Sequence, residues 1–381
     1  MPELACRNVI VGAGAMGAAA ARALASRGEP VVLVEQFAIG HDRGSSHGAA
    51  RIIRHSYADP VYAGLMPAAF RAWRELEAAA GVSLFVRTGG VSFSTPDVDY
   101  VGRVASCLAG LEVPHRRMTG AEWNRTNPAF GVRADSDVVF EPDAGMLAAS
   151  RAVALQVDLA RSIGGETVTV LERTPIRSID LDGDRPVVVA ENLRLRADRL
   201  IVTAGAWTER LFPMLGVPLA VTRQRVCYFR PADPTPYRIG RLPVFIAMGA
   251  GPLEAFYGMP DLGGAVVKAA RHGGLATNPD DDDRAVTEDD ATIVREFLRG
   301  CLPVLADAPL AFTETCLYTS TPDERFVVDF LPGRPDVIVA SPCSGHGFKF
   351  SCLIGRILAD MAIDGSCSLR PAGWGLAGEE S

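Results

Sequence analysis

Asn8-Val9-Ile10-Val11-Gly12-Ala13-Gly14-Ala15-Met16-Gly17 decides the fold of this chain. A short β-branched apolar run enters a G-x-G-x-x-G turn, and an Ala-rich stretch then runs to Arg27, where Gly28 stops the helix. Val31–Val34 is a second apolar strand, and Glu35 ends it. The pattern is strand, turn, helix, strand. Gly12 permits the tight turn, Gly14 lets the backbone approach a pyrophosphate, and Gly17 lets helix and strand pack closely. The helix N-terminus presents unpaired N–H groups to phosphate. Glu35 lies 23 residues after Gly12, where a carboxylate can accept hydrogen bonds from a ribose diol. The acid favours a ribose hydroxyl over a 2′-phosphate. NAD and FAD share this half of the signal.

Outward from that unit the chain is an ordinary globular sequence. Its 381 residues are 48% hydrophobic and 22% charged, enough for two to three units with sizeable cores. A net charge of −7 and the absence of Lys/Arg runs argue against a nucleic-acid partner. The eight cysteines form no C-x-x-C pair and no zinc spacing, so no metal site is expected. No stretch reads as a signal peptide or a membrane span, and the expected setting is a reducing cytoplasm.

The remainder separates the two cofactors better. A plain NAD dehydrogenase would continue as alternating strands and helices, whereas Glu35 is followed by a polar, Gly-containing stretch from Gly44 to His55. It carries His47, Arg51, Arg54 and His55 within nine residues, which suits an anion site. Arg51 and Arg54 are three apart, and a helical turn would put them near one face. Helices are expected over 62–80, 150–162, 289–298 and 352–363. Strands are expected at 84–86, 91–93, 167–171, 187–190, 199–202, 221–229, 244–247 and 337–340. Asn278–Asp283 reads as a solvated acidic loop. Thr203–Trp207 is a small-residue turn that suits a second close backbone approach, through Ala204, Gly205 and Trp207. Near the end, Ser344-Gly345-His346-Gly347-Phe348-Lys349 is another Gly-rich strand-to-helix turn. The cofactor domain is therefore expected to be discontinuous, with another domain inserted.

Taken together, these motifs resemble the monomeric sarcosine oxidase and N-methyltryptophan oxidase family of FAD-dependent amine oxidases. The resemblance covers nearly the whole chain. It rests on Gly12–Gly17 with Glu35, Ser46-His47-Gly48 with Arg51-Ile52-Ile53-Arg54, Thr203–Trp207, Cys316-Leu317-Tyr318-Thr319 and Gly345–Lys349. It implies an α/β fold: a Rossmann-like FAD domain (1–85, 146–222 and 318–375) with an inserted antiparallel-sheet substrate domain (86–145 and 223–317).

The resemblance also implies FAD bound covalently through an 8α-S-cysteinyl bond at Cys316. Further cofactor contacts would come from Met16, Ser46, Ile52, Gly345, Gly347 and Phe348. Arg54 and Lys349 match a clamp for the substrate carboxylate. Lys268 matches a lysine associated with oxygen activation, His272 and Tyr257 match substrate-pocket positions, and His47 and Arg51 match residues close to the flavin ring. The implied activity is oxidation of a C–N bond in sarcosine or another N-methyl amino acid, with O2 reduced to H2O2 by a monomer. A cyclic imino acid such as pipecolate or proline is the alternative substrate, and a flavin dehydrogenase with another electron acceptor the alternative activity. Two departures bear on the substrate. Ala50 replaces a threonine of the sarcosine oxidase pattern, and Met248–Glu254 is longer than the family's loop.

Overall fold

A computed structural model describes every residue except 1, 214, 250–254, 282–283, 286 and 377–381. Among the described residues two large sheets organise the chain. The first has eight strands. Its centre is parallel, with Val168–Leu171, Val31–Val34, Glu3–Val11, Arg194–Val202 and Arg334–Ser341 side by side. Parallel strands are buried on both faces, and the C-terminal half of Glu3–Val11 is buried throughout. The helix Ala15–Ala25 packs between helices Ala149–Gly164 and Ser351–Asp364. Its alanines permit that closeness: a Cβ added at Gly355 would lie 2.5 Å from the Ala19 backbone.

The second sheet has nine strands. Its ladders are antiparallel, with one correction to the expected pattern: Val244–Met248 runs parallel to Gly90–Ser94. Such a pair needs a long crossover, and here the connection passes through four of the first sheet's eight strands. Strands Ala220–Phe229 and Leu310–Ser320 pair along their whole length. They run through positions 222 and 317, where domain boundaries were expected, because a continuous ladder carries no change in composition. A third, three-stranded sheet joins Ala50–Ile53, Gly145–Ala148 and Phe85–Arg87.

The expected helices and strands appear with ends shifted by a few residues, as in Pro60–Ala80 and Glu288–Arg299. Asp59 caps the first of these by accepting from Val61 N at 2.8 Å. One expectation is overturned. Arg51 and Arg54 do not share a helical turn: Ala50–Ile53 is a strand, because Ile52 and Ile53 are β-branched and pair with Met146 and Gly145. In the acidic loop, Asp280 and Asp281 are exposed yet hold fixed partners, Trp207 Nε1 at 2.8 Å and Arg223 Nη2 at 2.9 Å. Positions 282–283 of that loop lie outside the described residues. Among the described residues no helix is long and apolar enough to cross a membrane.

Candidate active site

A cavity of about 650 Å³ is lined by residues of all three sheets. One part of it is the Gly-rich turn. Gly12 has φ +97°, and a Cβ there would sit 2.6 Å from the Thr203 carbonyl oxygen. A Cβ at Gly17 would fall 1.8 Å from the Gly12 oxygen. Two side chains brace the turn and the start of its helix. Glu35 Oε2 accepts from Ala13 N at 2.8 Å, and Ser46 Oγ accepts from Ala15 N at 3.0 Å. The other Glu35 oxygen accepts from Phe37 N at 3.0 Å. Thr203 Oγ1 donates to the Gly12 carbonyl at 2.8 Å, fastening the Thr203–Trp207 turn against the first one.

Cations line another stretch of the wall. Arg51 donates to the carbonyls of Ala50 at 3.0 Å and Ser45 at 2.9 Å. Lys268 is 5% exposed, and its Nζ lies 3.5 Å from the same Ala50 oxygen. Burial, then Arg51, lowers the Lys268 pKa to about 8. Cys316 is buried, outside any disulfide, and lies two residues from Glu314 and Tyr318 along one strand, so all three lie on one face of it. Glu314 accepts from the Tyr228 hydroxyl at 2.6 Å. His47 Nδ1 is buried without a hydrogen-bond partner among the described residues. Burial lowers the His47 pKa to about 4, so the ring is neutral.

The last stretch is a pair of cations, Lys349 buried and Arg54 partly buried. Lys349 Nζ donates to Tyr57 Oη at 2.9 Å and to the His346 carbonyl at 2.7 Å. The Arg54 guanidinium lies 4.7 Å from the centre of the Tyr57 ring. Burial, then Arg54, holds the Lys349 pKa well below the ordinary lysine value. Arg54 Nη1 and Tyr100 Oη are both buried without partners among the described residues. His272 packs against Tyr318 at 5.1 Å, and burial lowers its pKa to about 4. Behind Arg54, the fully buried Glu141 accepts from the backbone N–H of His55 and Ser56 at 2.9 and 3.0 Å, and pairs with His55 Nδ1 at 2.6 Å. That carboxylate fixes the chain between the arginine and Tyr57.

Every site residue expected from sequence lines this cavity except Gly17, which packs helix against strand. Ala50 bears on the site through its carbonyl; its side chain is buried among Ala144, Met146 and Val244. Of the Met248–Glu254 loop, Met248 lines the cavity and 250–254 lie outside the described residues. Sequence reasoning missed Tyr57, Tyr100 and Glu314 as wall residues, and Tyr228 as the donor that holds Glu314. Tyr57 sits three residues past Arg54, a hint in itself, but Tyr100 and Glu314 reach the site by tertiary packing alone.

Comparison with known proteins agrees with this architecture. The chain is 35% identical to the monomeric sarcosine oxidase of Streptomyces avermitilis over 370 residues, covering 94% of both chains. It is 29% identical to the N-methyl-L-tryptophan oxidase of Salmonella arizonae, covering 93% of this chain and 94% of that one. Its fold superposes on NikD, an unusual amino acid oxidase essential for nikkomycin biosynthesis, with a TM-score of 0.84 at 23% identity and 97% coverage of each chain. Residues 7–361 match the model of the FAD dependent oxidoreductase family. With the glycine turn, its acid and the cation-lined cavity in one fold, the chain belongs to that family of FAD-dependent oxidoreductases.

Proposed function

We propose that this enzyme oxidises the C–N bond of a secondary amino acid, sarcosine or another N-methyl amino acid, to an imine and reduces O2 to H2O2. The observation that carries the reading is the pairing of buried Lys349 with partly buried Arg54 in the cavity that the Gly12–Met16 turn also lines. Two cations with unused donors suit one carboxylate.

The residues fit FAD. The turn has no room for a Cβ at Gly12 or Gly17, the helix behind it directs its N-terminus at the cavity, and His47 Nδ1 awaits a partner. Gly12, Gly14, Met16, Glu35, Ser46, Ala204, Gly205 and Trp207 would hold the nucleotide part, with Ile52, Gly345, Gly347 and Phe348 at the ring. Residues 1–85, 146–222 and 318–375 would form the FAD domain, and 86–145 with 223–317 the substrate domain. Cys316, buried in the cavity wall, would carry the 8α-S-cysteinyl bond. Bound FAD supplies the two-electron acceptor that imine formation requires.

The chain's own groups then position and polarise. Arg54 and Lys349 bind the carboxylate and so fix the carbon next to nitrogen, while Tyr257 and His272 shape the pocket. His272 is neutral at physiological pH, which lets an uncharged amine sit beside it. Arg51 and His47 border the redox centre. Lys268 places a buried positive charge where negative charge develops on oxygen, an interaction worth far more out of water than in it. The imine hydrolyses to the primary amino acid and, for an N-methyl substrate, formaldehyde. The enzyme acts as a monomer.

The test is a panel of N-methyl and cyclic amino acids scored for peroxide, with anaerobic bleaching of the yellow chromophore as the control. Peroxide from N-methyl amino acids supports the reading; no bleaching by any amino acid overturns it. Acid precipitation tests the covalent bond: colour stays with the wild type and is released from Cys316→Ser.

A further inference from the structure

We propose that Tyr57, backed by His346, is a positioning residue that keeps the Lys349 ammonium charged and aimed at the substrate carboxylate. The proposal deepens the functional reading above and rests on it for the role of Lys349.

A lysine ammonium has three donors. Two are committed: Tyr57 Oη accepts one at 2.9 Å and the His346 carbonyl another at 2.7 Å. The third is left for the cavity that Lys349 lines. Because Tyr57 Oη accepts from the lysine, its own proton must be donated elsewhere, and His346 Nδ1 lies 3.1 Å away. An Nδ1 that accepts places the ring proton on Nε2, which lies 3.2 Å from the Glu324 carbonyl. The bonds therefore run in one direction, from Lys349 through Tyr57 and His346 to Glu324. Tyr62 packs edge-on to the His346 ring at 4.8 Å and Phe326 stacks on it at 4.6 Å, so the imidazole cannot turn away. Glu324, the terminal acceptor, is a non-glycine residue held at φ +59°. Strain of that kind persists only where the surroundings enforce it.

The chain opposes a strong bias. Lys349 is buried beside Arg54, and both facts favour the neutral amine. The titratable groups facing Lys349 are Arg54, Tyr57, His272 and His346, and Tyr62 and Glu324 complete the surroundings of His346. Among these described groups no carboxylate pairs with the ammonium, and the two oxygen acceptors are what stabilise its charge. An arriving carboxylate completes the set, so binding draws a proton onto Lys349 whenever the pH lies above its depressed pKa. Loss of the Tyr57 acceptor depresses that pKa further, and the alkaline limb of carboxylate binding then moves to lower pH.

The experiment uses the FAD-loaded enzyme and propionate, a carboxylate with no nitrogen to oxidise. Affinity is measured from pH 6 to 10, and proton uptake from the heat of binding in two buffers. Wild type should bind with proton uptake and an alkaline limb. Tyr57→Phe should move the limb to lower pH by about one unit and weaken binding about tenfold above it, the scale of one hydrogen bond to a charged group. His346→Gln keeps an acceptor for Tyr57 and a donor for Glu324, so it should retain the wild-type limb, whereas His346→Leu should follow Tyr57→Phe. A Tyr57→Phe protein of wild-type thermal midpoint with an unshifted limb overturns the proposal, as does an unshifted His346→Leu. If wild type fails to bind propionate, or Lys349→Met binds it equally well, the carboxylate-site reading itself has failed.

Discussion

Lys268 and Arg51 converge on one acceptor, the carbonyl oxygen of Ala50, at 3.5 and 3.0 Å. Burial, and then the proximity of Arg51, lowers the Lys268 pKa to about 8. Lys268 therefore loses its charge as pH rises through about 8, and a step that needs a cation there should slow over that range. The expected result is a fall in kcat/KM for O2 above that pH. Lys268→Met should show a loss of roughly 10²-fold at all pH values with the limb abolished. Oxygen-uptake kinetics at saturating amino acid check both, and a Lys268→Met enzyme that keeps the limb would assign it to another group.

Gly12→Ala should remove the cofactor before it removes the fold. The substitution puts a Cβ at φ +97° and 2.6 Å from the Thr203 oxygen, so the two turns must separate. The expected cost is about 2–3 kcal/mol of stability. The flavin-to-protein ratio should fall to near zero while far-UV circular dichroism stays native. Full flavin retention would show that the turn tolerates the side chain.

Lys349→Met should trade affinity for stability. A cation buried beside Arg54 is a poor stabiliser, and replacement by an apolar side chain of similar length removes that cost. Expected are a gain of roughly 1 kcal/mol, seen as a raised Tm, and a KM about 100-fold higher for the amino acid. A lowered Tm would mean that the bonds to Tyr57 and His346 outweigh the buried charge.

Acid should destabilise the protein through two partly buried histidines. His47 and His272 have folded-state pKa values lowered to about 4 from 6.5. Between those values the unfolded chain binds more protons than the folded one. Their contribution is therefore complete above about pH 6.5 and is lost as pH falls toward 4, up to about 3 kcal/mol each. Urea midpoints from pH 7 to 4.5 should fall for wild type and fall less for His272→Gln. Equal slopes would place His272 outside the effect.

The sequence was most legible where function is local. Gly12, Gly14, Gly17 and Glu35 lie within one strand–helix–strand unit, and their spacing states their geometry. Cys316, Lys268 and Lys349 were legible only through resemblance, since a lone cysteine or lysine has no pattern of its own. Arg51 and Arg54 illustrate a wrong period: spacing suggested a helix, but two isoleucines pairing with residues near 146 made a strand. Tyr100, Tyr228 and Glu314 stayed hidden because their meaning comes from distant partners. The Tyr228–Glu314 bond spans 86 positions and exists only once strands Ala220–Phe229 and Leu310–Ser320 have paired.

The parallel sheet bears on how the chain must be made. Its central strand, Glu3–Val11, leaves the ribosome long before Arg334–Ser341, which lies two places away in the sheet. The helix behind the glycine turn rests on Ser351–Asp364 as well. During synthesis that strand and its turn must wait, with apolar surface uncovered, until Arg334–Ser341 and Ser351–Asp364 have emerged. Cofactor capture is then a late event of maturation, and a nascent chain halted before Arg334 should be recognised by chaperones rather than by FAD.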